Sequence, residues 1–362
     1  MAPIRNARVI FNSIPAPNTY PEPGKTTVYD DSHTIDLETV PLDGGFLVKT
    51  LVLSIDPYMR GRMREPSAQD SYSPPFTLGE PLANVAVGLV VRSEHSAVKM
   101  GDYIYGFLPF QEYTVVPDPA HIRPDIFRIL EAKEGVPWSA YVGVCGMAGS
   151  TAHHGWHEYA DAKPGETVFV TSAAGPVGGT VVQLAKADGL KVIASAGSDE
   201  KVSFVESLGA DVVFNYKKED TRTVLQREGG IDIYWDNVGG HILEAALDAA
   251  HNKARFIECG MISAYNGEPY GPRNLTHIIS KELKINGFVV RNLYPKYRDQ
   301  FYKEIPPMVA SGQVKYMEDR SYGLESVGEA IVSVQKGTNK GKKVVIVTEN
   351  NIGKLGKDGW NV

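Results

Sequence analysis

The chain is poor in cysteine. Cys145 and Cys259 are the only two in 362 residues, which excludes a four-cysteine structural zinc site. A catalytic Cys₂His set would consume both and add a histidine. Their flanks argue against it. Gly143-Val144-Cys145-Gly146 and Phe256-Ile257-Glu258-Cys259-Gly260 are apolar, strand-like settings that suit buried free thiols. No bound metal is expected. Excess positive charge is lacking too: a net charge of −6 gives no electrostatic footprint for nucleic acid or an anionic membrane. No apolar run approaches the ~18 residues of a membrane span. The stretch Met1–Arg8 has no apolar signal core, so no secretory signal is expected. Two isolated thiols fit a reducing compartment, and a cytoplasmic protein is the expectation.

What is present is ordinary globular composition, 43% hydrophobic and 22% charged. A length of 362 residues accommodates two domains, each burying its own core. Short apolar runs separated by turns fill the chain to about residue 130, among them Arg8–Phe11, Gly45–Leu53, Val85–Val91 and Tyr113–Val116. That is the profile of a small, mostly β domain. Farther on, Val168–Val170, Lys191–Ser195, Val212–Phe214, Ile231–Trp235, Ala254–Ile257 and Leu283–Phe288 read as strands. The segments Gly178–Asp188, Asp199–Leu208, Thr221–Arg227 and His241–Ala249 read as helices between them. Such alternation predicts an α/β fold with a doubly wound parallel sheet. After about residue 312 short strands return, and Lys343–Val347 is expected to rejoin the N-terminal domain.

The first strand of the α/β region runs into Thr171-Ser172-Ala173-Ala174-Gly175-Pro176-Val177-Gly178-Gly179. This fits the dinucleotide fingerprint with Ala173 in the first glycine position, Gly175 in the second and Gly178 in the third. The second must let backbone approach a pyrophosphate, and the third lets helix and strand pack closely. A glycine-rich structural turn would give the same letters. Its place between a strand and a helix makes it a phosphate loop, with helix N-terminal amides facing the anion. An acid at the end of the second strand would hold the ribose 2′-hydroxyl of NAD. Here Ala194-Ser195-Ala196-Gly197-Ser198 carries none. Asp199 and Glu200 follow in the first turn of the next helix, behind Ser198 as N-cap. Lys201 can reach a 2′-phosphate, or it is a solvated surface lysine. The missing acid favours NADP.

These residues carry a resemblance. The chain resembles the zinc-independent medium-chain reductases, typified by prostaglandin reductase and the NADPH-dependent alkenal double-bond reductases. It does so through Leu53–Arg60, Leu78–Pro81, Gly146–Ala152, the Ala173–Gly178 loop, Ala196–Lys201, Phe214–Lys217, Trp235–Gly240, Cys259–Asn266 and Thr338–Lys342. The resemblance implies a GroES-like, mostly β catalytic domain from residues 1–130 and 313–362, with a Rossmann NADP-binding domain over 131–312. It implies NADPH contacts at Lys201 and Tyr216 for the 2′-phosphate, and at Asn237 and Cys259 around the ribose and nicotinamide. The backbone of Phe288-Val289-Val290 would meet the carboxamide. Met147, Thr151, Ala174, Gly175, Val177, Gly178, Gly197, Ser198, Ser263, Tyr265 and Asn339 complete the implied cofactor set. Tyr58 and Tyr265 would face the substrate, and a homodimer is implied. The chain departs from the pattern at Ala148 and Ser150, where Pro and Leu are usual, and at Asn84, where Gly is commoner. These changes bear on substrate identity more than on cofactor use.

His153 and His157 share a face of a probable helix beside His154 and could in principle ligate a metal. Without a Glu between them, they read instead as packing or surface histidines. Tyr265 follows a strand C-terminus, where open α/β sheets bind ligands. Asp56-Pro57-Tyr58 reads equally as a structural turn. The expected reaction is NADPH-dependent reduction of the carbon–carbon double bond of an α,β-unsaturated aldehyde or ketone. An oxyanion developing on the carbonyl needs a donor placed in advance. Tyr265 is the catalytic candidate and Tyr58 the substrate-binding one. The alternatives are a zinc-free quinone reductase or secondary-alcohol dehydrogenase, or a catalytically silent NADPH-binding protein.

Overall fold

A computed structural model describes residues 3–67, 71–131 and 135–349, and the backbone of 360–361. The chain forms two compact units. The first comprises the chain up to Gly143 with Glu318–Asn339 and the described residues from Lys343 to Glu349; the second comprises Val144–Met317 with Lys340–Lys342 and the strand at 360–361.

The first unit is built on an antiparallel sheet. The strand Phe46–Ser54 pairs with Ala83–Ser93 on one side and with Lys342–Ile346 on the other. Ala83–Ser93 then pairs with Tyr103–Pro109, and that with Arg128–Leu130, while Tyr113–Val116 adds to the start of Phe46–Ser54. Two register shifts along Phe46–Ser54 bend the central pair. Phe11, Phe46, Val48, Leu53, Leu108 and Phe110 are fully buried in its core, with Val327, Ile331 and Val345 from the returning chain.

The second unit is the doubly wound sheet predicted from the alternation. Its six strands lie in the order Val212–Asn215, Lys191–Ala196, Thr167–Val170, Ile231–Asp236, Ala250–Glu258, Lys284–Gly287, and every pairing is parallel. The order reverses at the first strand, the crevice where such sheets bind nucleotides. The strands are continuous apolar runs because helices cover both faces. Val168, Val170, Val192, Ile233 and Trp235 pack toward Trp156, Val181 and Phe204. Phe169, Ile193, Tyr234 and Phe256 pack the opposite way, toward Leu225, Leu243 and Leu247. That alternation is the period of two along a strand.

The helix after the first strand spans Pro176–Ala187, two residues ahead of the sequence expectation, because Pro176 carries a helix-compatible φ into the first turn. Two helices bracket the strand–helix run: Met147–Tyr159 and Tyr294–Ala310, the latter with Pro306 and Pro307 inside it. His154 meets the rings of Tyr294, Tyr297 and Phe301 between them. Among the described residues no helix is long and apolar enough to cross a membrane.

Candidate functional site

The glycine loop is a backbone construction. The Gly175 amide donates to the Ser172 carbonyl (3.0 Å), and the Ala173 amide donates to the Ser195 carbonyl (3.0 Å), which ties the loop to the second strand. Ser172 takes a left-handed φ of 50° to make the turn. A Cβ on Gly178 would stand 2.6 Å from the Ser172 oxygen and 2.8 Å from the Ala173 Cα. Only glycine fits there, as the third fingerprint position requires. A Cβ on Gly175 would meet only the Ser172 oxygen, at 3.3 Å. Gly175 therefore leaves an open backbone face at the start of the helix, beside Ala174 and Val177. No side chain caps that helix, so its first amides stay available to an anion.

At the end of the second strand Ser198 caps the helix Asp199–Ser207 by accepting from the Lys201 amide. The two acids are turned aside. Asp199 accepts from Asn215 at 2.9 Å and from Lys218 at 2.5 Å, which lowers its pKa. Glu200 pairs with Lys340 at 2.7 Å. Neither is presented as a free carboxylate to a ribose hydroxyl, and both lysine partners escaped the sequence reading. A Cβ on Gly197 would lie 2.9 Å from the Tyr216 hydroxyl. Tyr216 therefore rests against the strand end in the same unit as Lys201, with Lys217 6.0 Å from its ring.

At the carboxyl ends of the fourth and fifth strands, Asn237 is locked. Its amide donates to the Thr171 hydroxyl (2.8 Å) and its side chain to the Thr171 carbonyl (2.7 Å), while Trp235 donates to its Oδ1 (3.3 Å). The Ser263 hydroxyl donates to the Val238 carbonyl (2.6 Å). Thr151 and Ser150 both donate to the Met147 carbonyl, at 2.7 and 3.0 Å. The ring of Phe288 is a packing group: a Cβ on Gly155 would come within 2.6 Å of it.

Beneath these ends lies a buried acid pair that the sequence reading missed. Asp236 and Glu258 are register partners on adjacent strands. Asp236 Oδ1 accepts the Val238 and Gly239 amides at 2.7 and 2.8 Å. Neither Glu258 oxygen has a hydrogen-bond partner among the described residues. Burial and the neighbouring Asp236 push the Glu258 carboxyl up to about 9. Glu258 therefore keeps its proton at neutral pH, while burial raises the Asp236 pKa and the Gly239 and Val238 amides oppose that rise. Burial, with these two acids, also pushes the Cys259 thiol up to about 12. In that protonated state the thiol is a poor nucleophile.

Tyr265 ends a short 3₁₀ turn, Ile262–Ala264. Its hydroxyl lies 3.6 Å from where a Cβ on Gly260 would be. Burial raises its pKa, with Cys259 adding to the effect, so it stays a donor at neutral pH.

In the first unit, Tyr58 belongs to a polar network centred on the fully buried Asn84. The Asn84 amide nitrogen donates to the Ser54 carbonyl (3.0 Å) and to Asp56 (2.9 Å). Both amide hydrogens are spent, so its oxygen must accept, and Tyr58 donates to it at 2.5 Å. Ser54 also donates to Asp56. Burial and the Asp56 charge hold the Tyr58 pKa well above the usual phenol range. Asn339 falls in the first unit and is half-buried.

Among the described residues, the one group of three potential metal ligands is His153, His157 and Glu304, which contains no cysteine. No Cys₂His set is gathered among the described residues. A six-stranded parallel sheet in this order, with a glycine-lined turn after its first strand, defines a Rossmann-type dinucleotide-binding unit.

Residues 176–309 match the family model described as zinc-binding dehydrogenase, and residues 26–123 match that described as the N-terminal domain of oxidoreductase. The chain is 41% identical over 323 residues to the NADP⁺-dependent 2-alkenal reductase of Nicotiana tabacum, covering 87% of this chain and 91% of the relative. It is 41% identical over 314 residues to the (+)-pulegone reductase of Mentha piperita, covering 84% and 89%. Among solved structures, CurA from Vibrio vulnificus in complex with NADPH superposes with a TM-score of 0.84 at 29% identity, over 95% of this chain and 100% of that one. The chain belongs to the medium-chain dehydrogenase/reductase family, in the zinc-independent branch of alkenal reductases.

Proposed function

We propose that the protein uses NADPH to reduce the carbon–carbon double bond of α,β-unsaturated aldehydes or ketones. It is an NADP-dependent oxidoreductase acting on carbon–carbon double bonds. The observation that carries the finer reading is Tyr265: a half-buried, protonated phenol at the carboxyl edge of the parallel sheet, beside Gly260. NADPH supplies the hydride, which adds to the β-carbon and leaves an enolate. Tyr265 then donates to the developing oxyanion, and Tyr265 or water returns a proton to the α-carbon. The loop Ala173–Gly178 holds the pyrophosphate, and Lys201 with Tyr216 holds the 2′-phosphate. The remaining cofactor contacts are proposed at Met147, Thr151, Gly197, Ser198, Asn237, Cys259, Ser263, Asn339 and the Phe288–Val290 backbone. Tyr58 is proposed to contact substrate as a hydrogen-bond acceptor, its own proton being held by Asn84.

A homodimer suits the outer strand Lys284–Gly287, which lies at the edge of the sheet with Ile285 40% exposed. A cytoplasmic location is part of the same reading. NADPH oxidation measured with an enone, a quinone and a saturated ketone, each with excess chelator, tests the assignment. Turnover of the enone well above the other two is expected. Preference for quinone or ketone moves the assignment to those reactions, and no turnover of any leaves an NADPH-binding protein.

A further inference from the structure

Three side chains meet between the helices Met147–Tyr159 and Tyr294–Ala310 without any part in the proposed reaction. His153 and His157 stand one helical turn apart, with ring centroids 4.4 Å apart. Glu304 comes from the other helix, its Oε2 3.4 Å from the His153 Nε2. One ligand atom from each of the three lies within 4.8 Å of the others. Around a tetrahedral zinc with bonds of about 2.0–2.1 Å, neighbouring ligand atoms stand about 3.3–3.4 Å apart. The His153–Glu304 edge already has that length. The remaining contraction falls on His157 and Glu304, whose residues are exposed.

His153 is held for the task. It is fully buried, and its Nδ1 lies 3.2 Å from the Nδ1 of His154, also fully buried. A proton on the His153 Nδ1 satisfies that contact and leaves a lone pair on Nε2, directed at the three-residue cluster. In that tautomer the contact would serve as the outer-sphere hydrogen bond that orients a metal-bound histidine. Gln300 donates to the other Glu304 oxygen at 3.1 Å and fixes the carboxylate from the far side. Tyr297 stacks on His157, with centroids 6.2 Å apart.

We propose that His153, His157 and Glu304 form a zinc-class site, with water as the fourth ligand, that clamps the two helices together. Two imidazoles and one carboxylate select a first-row transition cation over magnesium or calcium, which prefer oxygen ligands. The site does not depend on the reductase assignment, and none of its residues is placed in the cofactor or substrate machinery.

The test titrates the chelator-stripped, desalted full chain with zinc chloride and follows bound zinc and the unfolding temperature. One zinc per chain and a rise in unfolding temperature are expected. Excess magnesium should not compete. Glu304→Gln and His157→Ala should each weaken zinc binding more than about tenfold. Both act at exposed positions, and unchanged unfolding temperatures in chelator confirm that the fold is kept. Zinc bound as tightly in both variants as in the parent, failure to take up stoichiometric zinc, or displacement by equimolar magnesium overturns the site.

Discussion

The glycine loop and the tyrosine sites are made in different ways. Around Gly178 the chemistry is backbone: amides, a positive φ at Ser172, and a contact no side chain could occupy. At Tyr58 and Tyr265 it is side chain: one phenol held by a buried amide, the other shifted by burial beside a thiol. Backbone constructions leave a local signature because the residues that make them are neighbours in sequence. Side-chain constructions join residues far apart, and the types involved are common. The first kind should fail abruptly when one atom is added. The second should degrade in steps as single hydrogen bonds are removed.

The sharpest way to break the comparison is Gly178→Ala. The added Cβ would overlap the Ser172 oxygen, the Ala173 Cα and the Ser172 carbonyl carbon, at 2.6, 2.8 and 3.0 Å. Relief must come from shifting the loop, at about 1–3 kcal/mol for overpacking. If that strain acts on the binding geometry, NADPH affinity falls by up to about a hundredfold. Calorimetric titration with NADPH measures it. Affinity equal to the parent would show that the loop can move without cost and that the backbone account is wrong.

This contrast also explains what could be read from the letters. The six strands, their parallel arrangement and the loop were legible because apolar runs, helix-length segments and glycine spacing are local patterns. The missing acid after Ala196 was equally legible. The fates of Asp199 and Glu200 were not, since Lys218 and Lys340 reach them from elsewhere in the chain. Asn84 stood out in the sequence only as an unusual residue, and nothing nearby tied it to Tyr58 and Asp56. Asp236 and Glu258 meet only because two strands pair in register. The helical spacing of His153 and His157 was visible, but Glu304 comes to them across 151 positions.

Tyr265→Phe probes the second kind of construction at its most consequential point. It keeps the packing of the ring and removes only the hydroxyl. The enolate oxygen carries more charge than the ground-state carbonyl, so the lost donor acts on the chemical step. Removal of one oxyanion donor in other enzymes costs roughly 10²–10³ in turnover. Here water remains as a donor, and a loss of roughly 10- to 50-fold is expected. It should appear equally in kcat and kcat/KM, with NADPH affinity unchanged. Wild-type turnover in steady-state kinetics would reduce Tyr265 to a packing residue.

Lys201→Ala touches both kinds at once, a side chain in the first turn of a helix that Ser198 caps. The amide that donates to Ser198 survives the change, so the fold is spared. The proposed charged contact to the 2′-phosphate is lost, and near solvent such a contact is weakened by screening. KM for NADPH should rise about five- to tenfold while KM for NADH stays level. Equal rises with both cofactors would remove Lys201 from the 2′-phosphate.

The smallest effect is expected from Tyr58→Phe, and it depends on the direction of a single hydrogen bond. Asn84 spends both amide hydrogens on Ser54 and Asp56, so Tyr58 is compelled to donate to its oxygen. The phenol oxygen, which also meets the Arg62 guanidinium, can take a ligand only as an acceptor. A substrate with a hydroxyl or amide donor gains from it; a plain enone does not. A neutral hydrogen bond contributes about 0.5–1.5 kcal/mol net. Tyr58→Phe should therefore raise KM about two- to fivefold for a hydroxyl-bearing enone and leave the same enone lacking the hydroxyl unaffected. The paired comparison matters because the variant also leaves the Asn84 oxygen without its donor, and any resulting loss of stability would lower activity on both substrates alike. If both KM values rise together, Tyr58 is a strut for Asn84 and Asp56. If the hydroxyl-free enone suffers more, the phenol acts as a donor after all and the bond to Asn84 gives way when substrate binds.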